Sequence, residues 1–71
     1  MKSYYLNTVS TGNPNYNNEV HTGDCAFCPS VFNRVYLGEY SSGVQAVKAA
    51  KEKGWSRADG CAHCCPEAHH G

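Results

Sequence analysis

The stretch 59–66, DGCAHCCP, constrains this chain more than any other, because it holds three of the five cysteines in a 71-residue sequence. Cys61 and Cys64 have the C-x-x-C spacing of a zinc knuckle, a turn short enough for two thiolates to reach one tetrahedral ion. A second pair, His21 and Cys25, lies upstream. Two ligand pairs far apart in sequence are typical of a structural metal site, so the pattern predicts a small domain organised by zinc.

Size and charge narrow the classes of function. A 71-residue chain has room for a single domain over 1–71, and a core of this size is marginal without a staple. The formal net charge is zero, so no global attraction to nucleic acid or to a membrane is expected. No apolar run approaches the ~20 residues of a membrane span.

The N-terminal residues indicate the cellular compartment of the protein. It turns polar at once and lacks the apolar region of a signal peptide, so we expect a cytoplasmic protein. Thiols stay reduced in the cytoplasm, where cysteine clusters indicate metal more often than disulfides. An odd number of cysteines also argues against a closed disulfide framework. A disulfide-stapled small protein without metal stays open as an alternative.

Aromatic and β-branched residues predict a small antiparallel sheet of about three strands, in an α+β fold with one main helix. The strands are expected at 3–9, 19–21 and 33–40. In the third strand, Val35 and Leu37 are predicted to share one face. Tyr36 and Tyr40 are predicted to share the other face. Gly38 is a candidate for a bulge or a close backbone approach.

The main helix is predicted to begin after Ser42 and to continue through Lys53. Ser42 as N-cap with Gln45 three residues later is a capping-box pattern. Val44 and Val47 are expected to face the core. Gly54 is placed to end the helix.

Three further features lie between these elements. The polar stretches 11–18 and 56–60 predict turns. Trp55, the largest apolar side chain, is expected to fill the core. Cys25 and Cys28 form a second C-x-x-C, but a redox dithiol with this spacing opens a helix after a parallel strand. The chain is too short for that βαβ fold, so the redox interpretation is disfavoured.

The potential ligands outnumber what one zinc ion needs. They are His21, Cys25, Cys28, Cys61, His63, Cys64, Cys65, His69 and His70. Cys61 and Cys64 are the firmest pair and Cys25 comes next, whereas the fourth place is open between His21 and Cys28. Burial as a small apolar side chain is the alternative role for Cys28 and Cys65. His63 is expected in solvent, and the two histidines near the chain end are expected to fray.

The order of these features resembles the Ada-type metal-binding domain, a zinc module that opens a bacterial DNA-repair methyltransferase and also occurs as an accessory domain. Over 19–65, the shared features are a ligand pair spaced by three residues, a strand beginning near an Asn, a small-residue helix, a Gly-aromatic step and a final C-x-x-C. The chain is also similar to small bacterial proteins with an E-V-H…C…N-R-x-Y-L-G-E…G-C-x-x-C-C pattern. The resemblance implies a Zn²⁺ site formed by His21, Cys25, Cys61 and Cys64.

The resemblance bears on activity as well. In the Ada protein, the first ligand cysteine accepts a methyl group from a DNA phosphotriester, since a metal-bound thiolate is a nucleophile. His21 stands at that position here, so methyl acceptance at the matching site is not expected. An Ada-like zinc-thiolate alkyl acceptor at another cysteine is the enzyme-class alternative.

A non-catalytic structural zinc-binding module that presents a small surface to a partner is therefore the leading expectation. Four protein ligands leave no open position on the metal for hydrolytic chemistry. The partner is nucleic acid or protein rather than membrane, and the chain is a monomer or a weak homodimer. A basic cluster near the helix end could favour nucleic acid, although lysines on a helix are usually just solvated. The cluster comprises Lys48, Lys51, Lys53 and Arg57.

Overall fold

A computed structural model describes residues 1–9 and 17–69 of the chain. Within these ranges it has one α-helix and a four-stranded sheet, which confirms the α+β class. The strands are β1 (Lys2–Asn7), β2 (Asn18–Thr22), β3 (Arg34–Tyr40) and β4 (Ala58–Gly60), and the helix is α1 (Gly43–Glu52). Short 3-10 turns cover Val31–Asn33 and Pro66–Ala68. The turn predicted at 11–18 lies mostly outside the described residues.

The sheet has the order β3-β1-β2-β4, and β1 is antiparallel to both of its neighbours. The fourth strand departs from the predicted turn at 56–60. Its three residues pair in parallel with β2, with Asn18 opposite Ala58 and Val20 opposite Gly60. Asp and Gly are poor strand formers, so the pairing with β2 rather than local propensity makes this segment a strand.

Gly38 forms the predicted bulge in β3. Its φ is +125°, and the register shifts so that Tyr4 lies opposite Gly38 while Tyr5 lies opposite Tyr36. The extra residue reverses the alternation of side chains along the strand. Tyr40 therefore packs against the core, whereas Tyr36 stays 54% exposed beside Tyr5. The prediction that Tyr36 and Tyr40 share a face was wrong for this reason.

The start of α1 differs in detail from the predicted capping box. Ser42 is the N-cap residue, but its side chain makes no capping hydrogen bond. The backbone N–H of Gly43 instead donates to the carboxylate of Glu67 at 2.8 Å. The side-chain oxygen of Gln45 accepts hydrogen bonds from the backbone N–H and the hydroxyl of Ser41. A distant carboxylate thus satisfies a helix N–H that the local sequence leaves open.

The end of α1 follows the prediction. Gly54 has a φ of +104°, and its N–H donates to the Lys51 carbonyl while the Trp55 N–H donates to the Ala50 carbonyl. This pair of bonds is a Schellman motif, which satisfies the last carbonyls of a helix. Trp55 itself is only partly buried at the edge of the core, so it does not fill the core as predicted.

The core lies between α1 and one face of the sheet. It consists of Tyr4, Leu6, Val20, Leu37, Ala46, Val47, Ala50, Ala58, Cys65 and Ala68. Val47 is buried as predicted, but Val44 is 52% exposed, because Ala46 and Ala50 turn the small-residue side of the helix toward the sheet. In the described ranges, no helix is both long and apolar enough to pass through a lipid bilayer.

Candidate metal centre

The parallel pairing of β2 and β4 brings two distant segments to the same end of the sheet. His21 lies near the end of β2, and Cys25 follows after a short turn. Cys61 comes directly after β4, and its N–H continues the ladder by donating to the Val20 carbonyl at 3.0 Å. Cys64 follows in the next turn. Because parallel strands finish at the same end of a sheet, the two pairs converge there.

Four side chains meet at this end of the sheet, and each offers one atom that could bind a metal. The atoms come from His21, Cys25, Cys61 and Cys64, and all lie within 4.8 Å of one another. The Nδ1 atom of His21 is 3.9 Å from the Sγ atom of Cys64. In a tetrahedral site with bonds of 2.0–2.3 Å, donor atoms are about 3.3 to 3.8 Å apart. The group is therefore close to the size of a closed metal site and could bind a metal ion.

The four side chains differ in exposure. His21 is 1% exposed and Cys61 is 2% exposed, whereas Cys25 and Cys64 are half-buried. Cys25 and Cys64 line an open cleft, and the Phe27 ring on its wall stacks on the ring of His63 at a centroid distance of 4.4 Å. Solvent thus reaches the centre through this cleft.

Backbone amides point at the two half-buried sulfurs. The N–H of Thr22 donates to Cys64 Sγ at 3.4 Å, and the N–H of Phe27 donates to Cys25 Sγ at 3.4 Å. Such donors stabilise a thiolate and orient it toward a metal. The surroundings of these two sulfurs therefore suit the ionised form that metals bind.

Without a cation, burial favours the neutral forms of these groups. Burial raises the pKa of the Cys64 thiol well above its usual range, although the Thr22 N–H opposes the shift and the neighbouring thiols add to it. Burial also lowers the pKa of His21, against the opposing effect of Glu19. A bound cation reverses this preference for the thiols, because a coordinated thiol is deprotonated.

Two of the competing cysteines lie outside the group of four. Cys28 Sγ instead accepts a contact from Arg34 Nη1 at 3.5 Å. Cys65 has no exposed surface and belongs to the core, although its Sγ is 3.8 Å from that of Cys64. All five cysteines are described and carry free thiols.

The remaining histidines also lie away from the group. His63 is exposed, as expected. The Nδ1 atom of His69 is 3.0 Å from the Gly60 carbonyl oxygen and 3.6 Å from the Asp59 carboxylate, and His70 lies outside the described residues. Glu19, whose carboxylate is 3.7 Å from His21 Nε2, was not among the residues predicted for the site. Its spacing of two residues from His21 in a strand, which puts both on one face, could have indicated it.

Comparisons of the chain with protein-family models, with curated proteins and with solved structures found no match. The chemistry of the four clustered side chains is therefore the basis for assigning a function.

Proposed function

We propose that this chain is a non-catalytic structural zinc-binding module of the Ada type, whose ion is held by His21, Cys25, Cys61 and Cys64. The observation that supports this is the convergence of one imidazole nitrogen and three sulfurs within 4.8 Å. A set of three cysteines and one histidine is a common structural zinc site, and it closes the coordination sphere without a position for water.

The size of the protein also favours a structural ion. The buried core contains few large side chains, and several of its members are alanines. The segment from Cys61 to Cys64 has little regular structure of its own. An ion that joins this segment to β2 would supply folding free energy that such a core lacks.

Metal analysis of the purified, reduced protein tests the proposal. We expect one zinc ion per chain by elemental analysis. Substitution with Co²⁺ should give the intense thiolate charge-transfer and visible bands of a tetrahedral site. Cys64→Ser should weaken or abolish these signals, whereas Cys28→Ser, a matched change of a cysteine outside the cluster, should leave them unchanged. A metal-free protein, or equal losses in both variants, would contradict the assignment.

The module would act by presenting a surface to a nucleic acid or a protein. The helix carries the exposed Lys48 and Lys51, and Lys53 follows it, also exposed. Binding of DNA or RNA through these side chains should weaken steeply as salt is added, because phosphate neutralisation releases counterions. Binding that is absent, or that salt leaves unchanged, would favour a protein partner.

A thiolate alkyl acceptor is the second candidate, and the open cleft is what favours it. Cys25 and Cys64 line that cleft, and a metal-bound thiolate is a nucleophile. Mass spectrometry after exposure of the zinc-loaded protein to an alkylated DNA duplex tests this role. A single methyl adduct on Cys25 or Cys64 would establish it, and an unmodified protein would exclude it.

A further inference from the structure

The imidazole of His21 is buried between two different environments. Its Nδ1 atom lies on the side of the sulfurs, 3.9 Å from Cys64 Sγ. Its Nε2 atom is fully buried and has no hydrogen-bond partner within the part of the chain that the structure describes. The carboxylate of Glu19 approaches Nε2 to 3.7 Å. The two ring nitrogens are thus distinguished by what they face.

We propose that Glu19 is a positioning residue of the metal centre, whose carboxylate accepts the Nε2–H of His21 and thereby commits Nδ1 to the ion. The inference rests on the proposed zinc-binding function and names the partner that orients one of its ligands.

The tautomer of the His21 ring decides which of its two nitrogens can bind a metal. A neutral imidazole has a proton on one nitrogen and a lone pair on the other, and only the lone pair can bind a metal. If Nδ1 of His21 binds the ion, Nε2 must carry the proton. A buried N–H without an acceptor is destabilising, so the proton needs a partner on that side of the ring.

Position and exposure make Glu19 suited to that role. Glu19 and His21 are two residues apart in β2 and lie on the same face of the sheet. The Glu19 side chain is 32% exposed while that of His21 is 1% exposed, so the carboxylate has room to adjust. A hydrogen bond of ordinary length needs a movement of less than about 1 Å from the present 3.7 Å.

The Glu19 carboxylate would affect both the orientation of the His21 ring and the basicity of its Nδ1 atom. A carboxylate that accepts the distal N–H of a ligating histidine fixes the ring and makes the other nitrogen a stronger donor. Loss of such a partner weakens metal binding by about 10- to 100-fold.

Nuclear magnetic resonance of the wild-type, zinc-loaded protein gives the first test and needs no variant. Long-range ¹H–¹⁵N correlations of the His21 ring should show a protonated Nε2 and a metal-bound Nδ1, with a Nε2–H that exchanges slowly with water. Coordination through Nε2 would overturn the proposal.

Competition with a chromophoric zinc chelator gives the second test, on three variants. We expect Glu19→Ala to weaken zinc binding by about 10- to 100-fold, and Glu19→Gln to weaken it less, because an amide oxygen still accepts a hydrogen bond. Glu39→Gln, a matched change of an exposed carboxylate in β3, should bind as the wild type does. A Glu19→Ala affinity within twofold of the Glu39→Gln control would overturn the role of Glu19.

The two proposals fail in different ways. A wild-type protein without stoichiometric zinc would contradict both the zinc module and the positioning role. A wild-type protein that binds zinc tightly, combined with an unchanged affinity in Glu19→Ala, would contradict only the positioning role. If Glu19→Ala does not fold, the ring signals of the wild-type protein decide the question.

Discussion

The two halves of the candidate metal centre are built differently. His21 and Cys61, the inner pair, are fixed by the sheet: one belongs to β2 and the other continues the ladder beyond β4. Cys25 and Cys64, the outer pair, lie in turns that border the open cleft. The inner pair is almost completely buried, whereas the outer pair is half-buried.

The fold therefore positions the inner pair by itself, whereas the positions of the outer pair would depend on a bound ion. Strand pairing places the inner pair through the same hydrogen bonds that hold the sheet together. The outer pair lies in short turns, and its sulfurs accept hydrogen bonds from the Thr22 amide at the end of β2 and from the Phe27 amide. Such contacts are weak unless the sulfur is ionised. We therefore expect the inner pair to be in place before metal binds and the outer turns to become ordered with it.

Removal of the metal should have the largest effect and should act unevenly. Structural zinc sites contribute an apparent free energy of about 10–16 kcal/mol at pH 7, and this small core has little to replace it. A chelator should lower the melting temperature strongly in circular dichroism. By hydrogen exchange, the turns at 23–28 and 62–64 should lose protection before the β1–β2 ladder does. Equal loss across the chain, or an unchanged melting temperature, would contradict the comparison.

The inner and outer cysteines should also differ when each is replaced. Cys61→Ser puts a hydroxyl into a buried place that water cannot reach, whereas Cys25→Ser leaves a place that solvent can fill. An unsatisfied buried polar group costs about 1–3 kcal/mol. We therefore expect Cys61→Ser to lower the zinc affinity roughly tenfold or more beyond the loss in Cys25→Ser. Chelator competition on the two variants measures this difference. Equal losses would show that burial does not distinguish the two positions.

Local signals in the sequence predicted the elements that local interactions specify. Gly38 and Gly54 each adopt a positive φ. Gly54 was expected to end the helix, and Gly38 was expected to mark a bulge or a close backbone approach. Contacts between distant segments were not predictable in the same way. The strand at Ala58–Gly60 exists because β2 lies beside it, and the helix start is satisfied by Glu67, 24 residues away.

The residues of the candidate site also differ in whether local sequence or contacts between distant segments determine their place. The spacing of Cys61 and Cys64 is a local pattern, and it correctly indicated that these two sulfurs lie together. The choice between His21 and Cys28 was open from the residues alone, because it depends on which side chain lies next to β4. The parallel pairing of β2 with β4 brings His21 into the group and leaves Cys28 beside Arg34.

Replacement of the two cysteines outside the group should have a smaller effect. Cys65→Ser should keep one zinc ion per chain but lower the free energy of unfolding by about 1–3 kcal/mol, because Cys65 has no exposed surface. Cys28→Ser should keep the zinc and change stability by less than about 0.5 kcal/mol. Urea unfolding and zinc analysis of the same samples measure both quantities. Loss of zinc in Cys65→Ser would make Cys65 a ligand, given its 3.8 Å distance from Cys64 Sγ.

The turn that leads to Cys25 should give the smallest effect, and it depends on pH. The Thr22 hydroxyl donates to the Asp24 carboxylate at 2.7 Å, and this bond lowers the pKa of Asp24. A carboxyl group with a lowered pKa in the folded state adds stability above its unfolded pKa and loses it as the pH falls through the folded value. Asp24→Asn should therefore reduce the difference in zinc-loaded stability between pH 6 and acidic pH slightly. Asp24 is fully exposed, so solvent screens the contribution. An effect as large as that of Cys65→Ser would mean that this outer turn is held as firmly as the core.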